Sequence, residues 1–523
     1  MQFYLNNNEF LWVMTGGIFR YGIDHLTPNT AIKIARSEIK GILTEETIKC
    51  VKKCHETVIQ IAKGHKPVYA INTGFGSLKN KNISYEDSGK LQENLLKSHS
   101  VGVGDPIDNE ISKLMLILKV HALCQGFSGA SIDLIKRIMW HIEHNYIPKV
   151  PEQGSVGASG DLCPLAHSFL PLIGLGEISI DYGITYVPTE KILKENQLEK
   201  FSLGAKEGLA LINGTQFMAA HGIKIVERLK NCQDHADIIA ALSLEGFLGS
   251  KAPFDKRLHE IRPHPGAQIV AERFRNLLNE SELIESHENC NRVQDPYSFR
   301  CIPQVHGASR DALVHLEEIL TREINSVTDN PNIFQNDGNP IAISGGGFHG
   351  EPIALPMDYA GLAASELGNI SDRRIYLLLG EKGEYGLPDY LIKDSGLNSG
   401  FMITQYLTTA LVSENKSLCY PASADSIPTS NGIEDIVSMG SISARKTLKI
   451  IDNLEKILAV ELFCACQAID FRQPLKPSPI LEKCHNYVRS KIPHINNDEI
   501  LSNYINIATE IVRSKHMLIF FNE

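Results

Sequence analysis

The sequence has no long run of basic residues and no stripe of aromatics among its lysines and arginines. Its net charge is −10 and its pI about 6.0. Proteins that grip nucleic acid usually carry a basic face, so this balance speaks against that class. No apolar stretch is long enough to span a bilayer. The best candidate, Phe10–Phe19, is short and broken by Gly16 and Gly17. The start of the chain shows neither the basic segment nor the small-residue cleavage site of a secretory leader, so a cytoplasmic location is expected. Eleven cysteines are present, an odd number. Cys50 and Cys54 sit four apart and Cys464 and Cys466 two apart, but neither pair has a second pair at zinc-binding spacing. Reduced, mostly buried thiols and no metal site are expected. Low-complexity tracts and fixed-period repeats are also lacking.

What the chain does have is apolar content and helical rhythm. Over 523 residues, 43% are hydrophobic, which supports a large core and permits two or more domains. From Leu448, apolar residues recur at Ile451, Leu454, Leu458 and Leu462, one face of a long helix. Similar patterns run through 110–124, 132–142, 205–247, 308–325, 355–380 and 398–418. Strand-like alternation is rare and short, as around Ile178–Tyr186. The expected fold class is therefore mostly α. Four glycine-rich stretches interrupt the helices: Asn72–Gly76, Gly154–Gly160, Gly345–Gly347 and the segment near Asn431–Gly432. Any one of them reads as a turn or a cap. Several together on a helical scaffold suggest a site built from loops.

The stretch Pro151-Glu152-Gln153-Gly154-Ser155-Val156-Gly157-Ala158-Ser159-Gly160-Asp161-Leu162 calls for a chemical reading. It lacks the Lys-Ser/Thr of a phosphate-binding loop and the Gly-x-Ser-x-Gly spacing of a nucleophile elbow. A cyclising turn fits better. The Gly160 amide nitrogen, free of a bulky neighbour, could attack the Ala158 carbonyl carbon. Loss of water from that ring and from Ser159 would leave an exocyclic methylidene, an electrophile no ordinary side chain supplies. Such a turn must fold on itself, and backbone strain is often stored at functional sites.

Gly154–Asp161, continued by Leu162-Cys163-Pro164-Leu165-Ala166-His167, closely resembles the signature of the histidine and aromatic amino-acid ammonia-lyase family. The likeness recurs from Tyr69 to Met439. It implies a methylidene-imidazolone formed from Ala158, Ser159 and Gly160, with no external cofactor. It also implies a homotetramer with shared active sites. In that fold a site-bearing N-terminal region, drawn here as 1–210, is followed by a central bundle of long helices, 211–523. Tyr69-Ala70-Ile71-Asn72-Thr73-Gly74-Phe75-Gly76 resembles the family's mobile loop, and Tyr69 is the implied base for the β-proton. Its hydroxyl must become more acidic than an ordinary tyrosine to serve near neutrality. The block Glu207–Thr215 implies Asn213 as the donor to the electrophile's ring oxygen. Gln294-Asp295-Pro296-Tyr297-Ser298-Phe299-Arg300 implies Arg300 as the clamp on the substrate carboxylate, with Gln294 and Tyr297 lining the reacting centre; a guanidinium offers two parallel donors for that task. Ser344–Pro352 implies Phe348 packed near the electrophile.

The implied reaction is non-oxidative removal of ammonia from a small-molecule amino acid. Ser98-His99 and Glu414 match the histidine type, which turns L-histidine into trans-urocanate. A carboxylate and a histidine can pair with the two nitrogens of imidazole, and a benzene ring would leave both unsatisfied. Some positions depart from the family. Gly347 replaces a usual Asn, Ala267 a usual Gln, and Ile433 and Ile436 a Gln and a His. Two other readings stay open: a lyase or aminomutase for tyrosine, phenylalanine or another amino acid, and a silent helical binding scaffold.

Overall fold

The computed structural model describes residues 17–288, 290–335, 340–380 and 386–522. Positions 10–16 of the apolar stretch Phe10–Phe19 lie outside the described residues. Twenty α-helices are present among the described residues, and no strand there exceeds four residues, so the mostly α fold class holds. No described helix is long and apolar enough to cross a membrane. None of the cysteines is in a disulfide.

The chain forms two compact units. The first contains the described part of Met1–Ile223 with Leu320–Gly350 and Ser426–Ser441. Its helices include α1 (Glu45–Lys63), α2 (Tyr85–His99), α3 (Asn109–Leu123), α4 (Leu162–Phe169) and α5 (Glu207–Ile212). α2 begins where the Ser84 side chain accepts the Asp87 N–H, with Glu86 and Asp87 in the first turn, as a helix N-terminus favours. α3 is buried on every side from Ile111 to Leu123, the mark of a helix through the middle of a core. Two lysines, Lys113 and Lys119, share that burial. Glu177–Ser179 pairs antiparallel with Tyr186–Pro188, the strand pattern seen in the sequence.

The second unit contains Lys224–Ile319, Glu351–Asp425 and the described part of Ile442–Glu523. It holds most of the long helices α6 (Gln216–Phe247), α7 (Ile302–Ile324), α8 (Glu351–Gly380), α9 (Met402–Leu418) and α10 (Gly440–Asp470). In α10, Ile451, Leu454, Leu458 and Leu462 are wholly buried, so the stripe read from sequence faces the core. Each such side chain contributes about 1.5–3 kcal/mol of burial. Arg374 of α8, wholly buried, is held by both oxygens of Glu461 at 2.5 and 2.9 Å. A buried charge of this kind is tolerated only when paired and hydrogen-bonded.

The expected helical stretch 205–247 is broken. α5 ends at Ile212 and α6 begins at Gln216. Between them Asn213 is extended and Gly214 has φ +129°, a conformation open to glycine. Apolar rhythm alone cannot show that break, because residues 205–223 are buried on both sides of it almost without exception.

Candidate active site

The four glycine-rich loops meet in the first unit around one cavity of about 840 Å3. Gly76, Ala158 with Ser159, Gly345 with Gly346, and the 430–436 segment all line it. Tyr69, His99, Asn213 and Phe348 do so as well.

The Ala158-Ser159-Gly160 turn is clamped from one side by the break after α5. The Asp161 N–H donates to Gly214 O at 2.7 Å. Asn213 Nδ2 donates to Ser159 O at 2.8 Å, and the Gly214 N–H reaches the same oxygen at 3.4 Å. Gly160 has φ +71°, and a Cβ there would sit 2.1 Å from Gly214 O. Only glycine fits, for both reasons. From the other side, Met439 N–H donates to Val156 O at 3.0 Å and Ser441 Oγ to Ser155 O at 2.7 Å. These features suit the cyclised group. The oxygen that would become the ring carbonyl already has an amide donor, and Asn213 Oδ1 is buried without a protein partner, so the amide is not drawn elsewhere.

Beneath the turn the core is charged. Asp161, wholly buried, accepts the Met218 N–H on Oδ2 at 3.0 Å, while Oδ1 has no protein partner. Burial pushes its carboxyl up to about 7, against the pull of the N–H groups at the start of α6. Burial likewise brings the Lys119 ammonium down to about 7, opposed by Asp329. Asp329 is itself paired with Lys206 Nζ at 2.7 Å.

Around the mouth, the Tyr69 loop is held by Asn72, whose Oδ1 accepts the Val68 N–H at 2.7 Å. The Tyr69 hydroxyl accepts the Gly76 N–H at 3.2 Å. His99 closes α2, with Ser98 Oγ 3.0 Å from its Nδ1. Burial holds its imidazole below the usual value, opposed by the Leu95 carbonyl and by the charge of Glu434. Glu434 is a carboxylate of the cavity lining that reaches the turn. It accepts Ser159 Oγ at 3.2 Å and Thr429 Oγ1 at 2.8 Å. Asn330 holds the third loop, donating to Ser344 Oγ at 3.0 Å and accepting the Gly345 N–H at 2.7 Å.

The profile of the aromatic amino acid lyase family matches residues 26–490, nearly the whole chain. The chain belongs to the aromatic amino acid lyase family. Its similarity to individual members is high. It is 47% identical to the histidine ammonia-lyase of Natranaerobius thermophilus over 445 residues, 85% of this chain and 87% of that one. It is 43% identical to the histidine ammonia-lyase of Myxococcus xanthus over 495 residues, 95% of this chain and 96% of that one. Among solved structures, the histidine ammonia-lyase of Trypanosoma cruzi superposes with a TM-score of 0.88 at 38% identity, covering 97% of this chain and 95% of that one. The tyrosine aminomutase of Streptomyces globisporus superposes with a TM-score of 0.90 at 34% identity, covering 96% and 98%. With the family and the histidine ammonia-lyase relatives, this chain is a carbon–nitrogen lyase.

Of the residues singled out in the sequence, Tyr69, His99, Ala158, Ser159, Asn213 and Phe348 line the cavity, and Gly160 closes its turn. Gln294, Tyr297, Arg300 and Glu414 belong to the second unit and are not among its lining residues. There Arg300 lies over the Tyr297 ring at 4.5 Å, and its Nε has no protein partner. Glu414 is an exposed position of α9 and accepts Asn453 Nδ2 at 3.1 Å. The sequence reading passed over two residues, Glu434 and Lys119. Glu434 stands between the departures Ile433 and Ile436 and is itself no departure. All three line the cavity. Lys119 was hidden in the apolar rhythm of 110–124. Position 347 is open: a Cβ there would meet only Val327 O at 3.7 Å and Asp329 O at 4.0 Å.

Proposed function

We propose that this protein removes ammonia from L-histidine to give trans-urocanate, using a methylidene-imidazolone formed from Ala158, Ser159 and Gly160. The observation that carries the proposal is the 2.8 Å donation from Asn213 Nδ2 to Ser159 O inside a cavity that also holds Tyr69, His99 and Glu434. Once formed, the group supplies an electrophilic carbon that lets the substrate shed an amine, a poor leaving group on its own. The chain's other residues do the rest. Tyr69, whose hydroxyl accepts the Gly76 N–H at 3.2 Å, takes the β-proton. His99, whose imidazole burial holds below its usual value, and Glu434 face the two nitrogens of the imidazole ring. Phe348 packs beside the turn.

Arg300, with Tyr297 and Gln294, is the proposed clamp on the substrate carboxylate. The exposed Tyr297, with Arg300 over its ring at 4.5 Å, suits a turn presented to another copy of the chain in a homotetramer with shared sites. The relatives named above support the histidine reading. A cytoplasmic enzyme of amino-acid breakdown is the accompanying proposal.

A second reading, a lyase or aminomutase for tyrosine, is favoured by one observation. Ile433 and Ile436 give part of the lining an apolar face, where the histidine pattern carries a Gln and a His. Two measurements decide. The intact chain is expected to be lighter than its sequence by two waters, and an unmodified mass overturns the lyase mechanism. A panel of amino acids watched for an ultraviolet-absorbing conjugated acid is expected to respond to histidine. A response to tyrosine or phenylalanine without one to histidine overturns the substrate.

A further inference from the structure

Lys119 lies at the centre of α3, wholly buried, and takes no direct part in the mechanism proposed above. Its ammonium donates to Asn213 O at 2.8 Å and to Ala210 O at 3.1 Å. Both acceptors are carbonyls at the C-terminal end of α5, where a helix leaves its last oxygens unpaired and carries partial negative charge. That alone would make Lys119 a helix-end partner. The next bond along gives it more to do. Asn213 O and the Gly214 N–H belong to one peptide group. A cation on the oxygen of a peptide draws electrons through it and makes its N–H a stronger donor. That N–H points at Ser159 O, as does Asn213 Nδ2. The chain of contacts thus runs from Lys119 to Asn213 O, through one peptide, to the carbonyl in the middle of the cyclising turn.

We propose that Lys119 is a positioning residue for formation of the electrophile: it fixes the Asn213–Gly214 peptide and polarises it so that its N–H and the Asn213 amide stabilise charge on Ser159 O. The inference rests on the function proposed above. In the cyclisation, the Gly160 nitrogen bonds to the Ala158 carbonyl carbon. The Ala158 oxygen leaves as water with the hydrogens of the Gly160 and Ser159 nitrogens, and a double bond forms between the Ala158 carbon and the Ser159 nitrogen. The Ser159 hydroxyl then leaves with the Ser159 Cα hydrogen as a second water, making the exocyclic double bond. No oxidant or reductant is consumed. Removing the Cα proton places negative charge on Ser159 O, where the two donors stand. Donors aimed at developing charge accelerate such a step. The Gly160 N–H proton is made more acidic by the same contacts.

Lys119→Met keeps much of the side-chain volume and removes the donor; Lys119→Arg keeps a cationic donor; Lys119→Gln keeps a neutral one. The readout is the intact mass of purified chain over time after synthesis, with wild type and Ser159→Ala as fully dehydrated and uncyclised references. Thermal melting checks that each variant folds. Lys119→Met is expected to fold and to lose its two waters at least about tenfold more slowly than wild type, the effect of one charge-assisted hydrogen bond. Lys119→Arg is expected to recover complete dehydration. A folded Lys119→Met that dehydrates at the wild-type rate overturns the inference, as does a folded Lys119→Arg as slow as Lys119→Met. Should Lys119→Met not fold, Lys119→Gln decides by the same rate criterion. If neither folds while Ser159→Ala does, Lys119 serves only the fold and the inference fails. An undehydrated wild type would instead remove the function on which it rests.

Discussion

Replacing Glu434 by Gln tests the substrate assignment most directly. The change keeps the shape of the side chain and removes its charge. Thr429 Oγ1, 2.8 Å away, can still donate to the remaining amide oxygen, so the loop that carries the residue has little reason to move. A hydrogen bond between a carboxylate and an imidazole N–H is worth about 1.5–3 kcal/mol. Glu434 is half-buried, and solvent trims the upper part of that range. A loss of roughly 1.4–2.3 kcal/mol in kcat/KM for histidine, or about ten- to fiftyfold, is expected. The assay is the initial rate of urocanate absorbance against histidine concentration. Because Glu434 also accepts the Ser159 hydroxyl at 3.2 Å, the intact mass must be read first. Only a fully dehydrated Glu434→Gln isolates the handling of the ring. Glu414→Gln is the paired variant. Glu414 lies exposed on α9 of a single chain, in the unit that also carries Arg300, so in a homotetramer with shared sites it is the other candidate for the imidazole contact. A dehydrated Glu434→Gln with wild-type kcat/KM would refute the reasoning, and a tenfold loss in Glu414→Gln beside it would give the imidazole contact to Glu414.

Two further outcomes follow from the geometry. Gly160→Ala puts a Cβ 2.1 Å from Gly214 O at a φ of +71°. The left-handed backbone alone costs about 1–2 kcal/mol, and the clash forces the Asp161–Gly214 contact apart. The variant is expected to lose at least about 2 kcal/mol in urea unfolding and to keep its full sequence mass; a stable, dehydrated Gly160→Ala would contradict the clamp. Glu245, wholly buried in α6 with Oε2 lacking a protein partner, has its carboxyl pushed up by burial to about 8 from 4.5. A carboxyl whose folded value is raised favours folding below its unfolded value and loses that advantage as pH climbs to the folded one. Between about pH 4.5 and 8 the wild type should therefore lose stability relative to Glu245→Gln, by up to roughly 5 kcal/mol at about 1.36 kcal/mol per unit. Parallel melting curves of the two proteins across that range would show no divergence if Glu245 ionised normally.

The long helices were legible because burial on one face imposes a 3.6-residue rhythm, and Ile451, Leu454, Leu458 and Leu462 carry it visibly. The break at Asn213–Thr215 was not, since buried residues on either side of a sharp turn are as apolar as those within a helix. Asn213-Gly214 is a dipeptide that favours turns, but only the fold shows the Asn213 amide brought onto Ser159 O. Charge is silent in the same way. A glutamate looks alike in sequence whether it stands on an exposed helix face of the single chain, as Glu414 does, or in a loop over a cavity, as Glu434 does. Which carboxylate faces the site depends on which segments meet, and 414 and 434 fall in different units although only twenty residues separate them.

By itself, the sequence determined the chemistry. Ala158-Ser159-Gly160 in its glycine-rich setting is a covalent possibility written in three adjacent residues, and the blocks around Tyr69, Asn213 and Arg300 name the family it serves. Local order suffices there because cyclisation joins neighbours in the chain. The tertiary structure decided what surrounds that turn. It drew four loops from positions between 69 and 436 to one cavity, put Glu434 beside Ser159, and set the ammonium of Lys119 behind the Asn213–Gly214 peptide. Those contacts span many tens to hundreds of residues. They arise from the packing of α3, α4 and α5 and the loops beside them, where a buried charge must find a partner and a glycine must give way to a carbonyl.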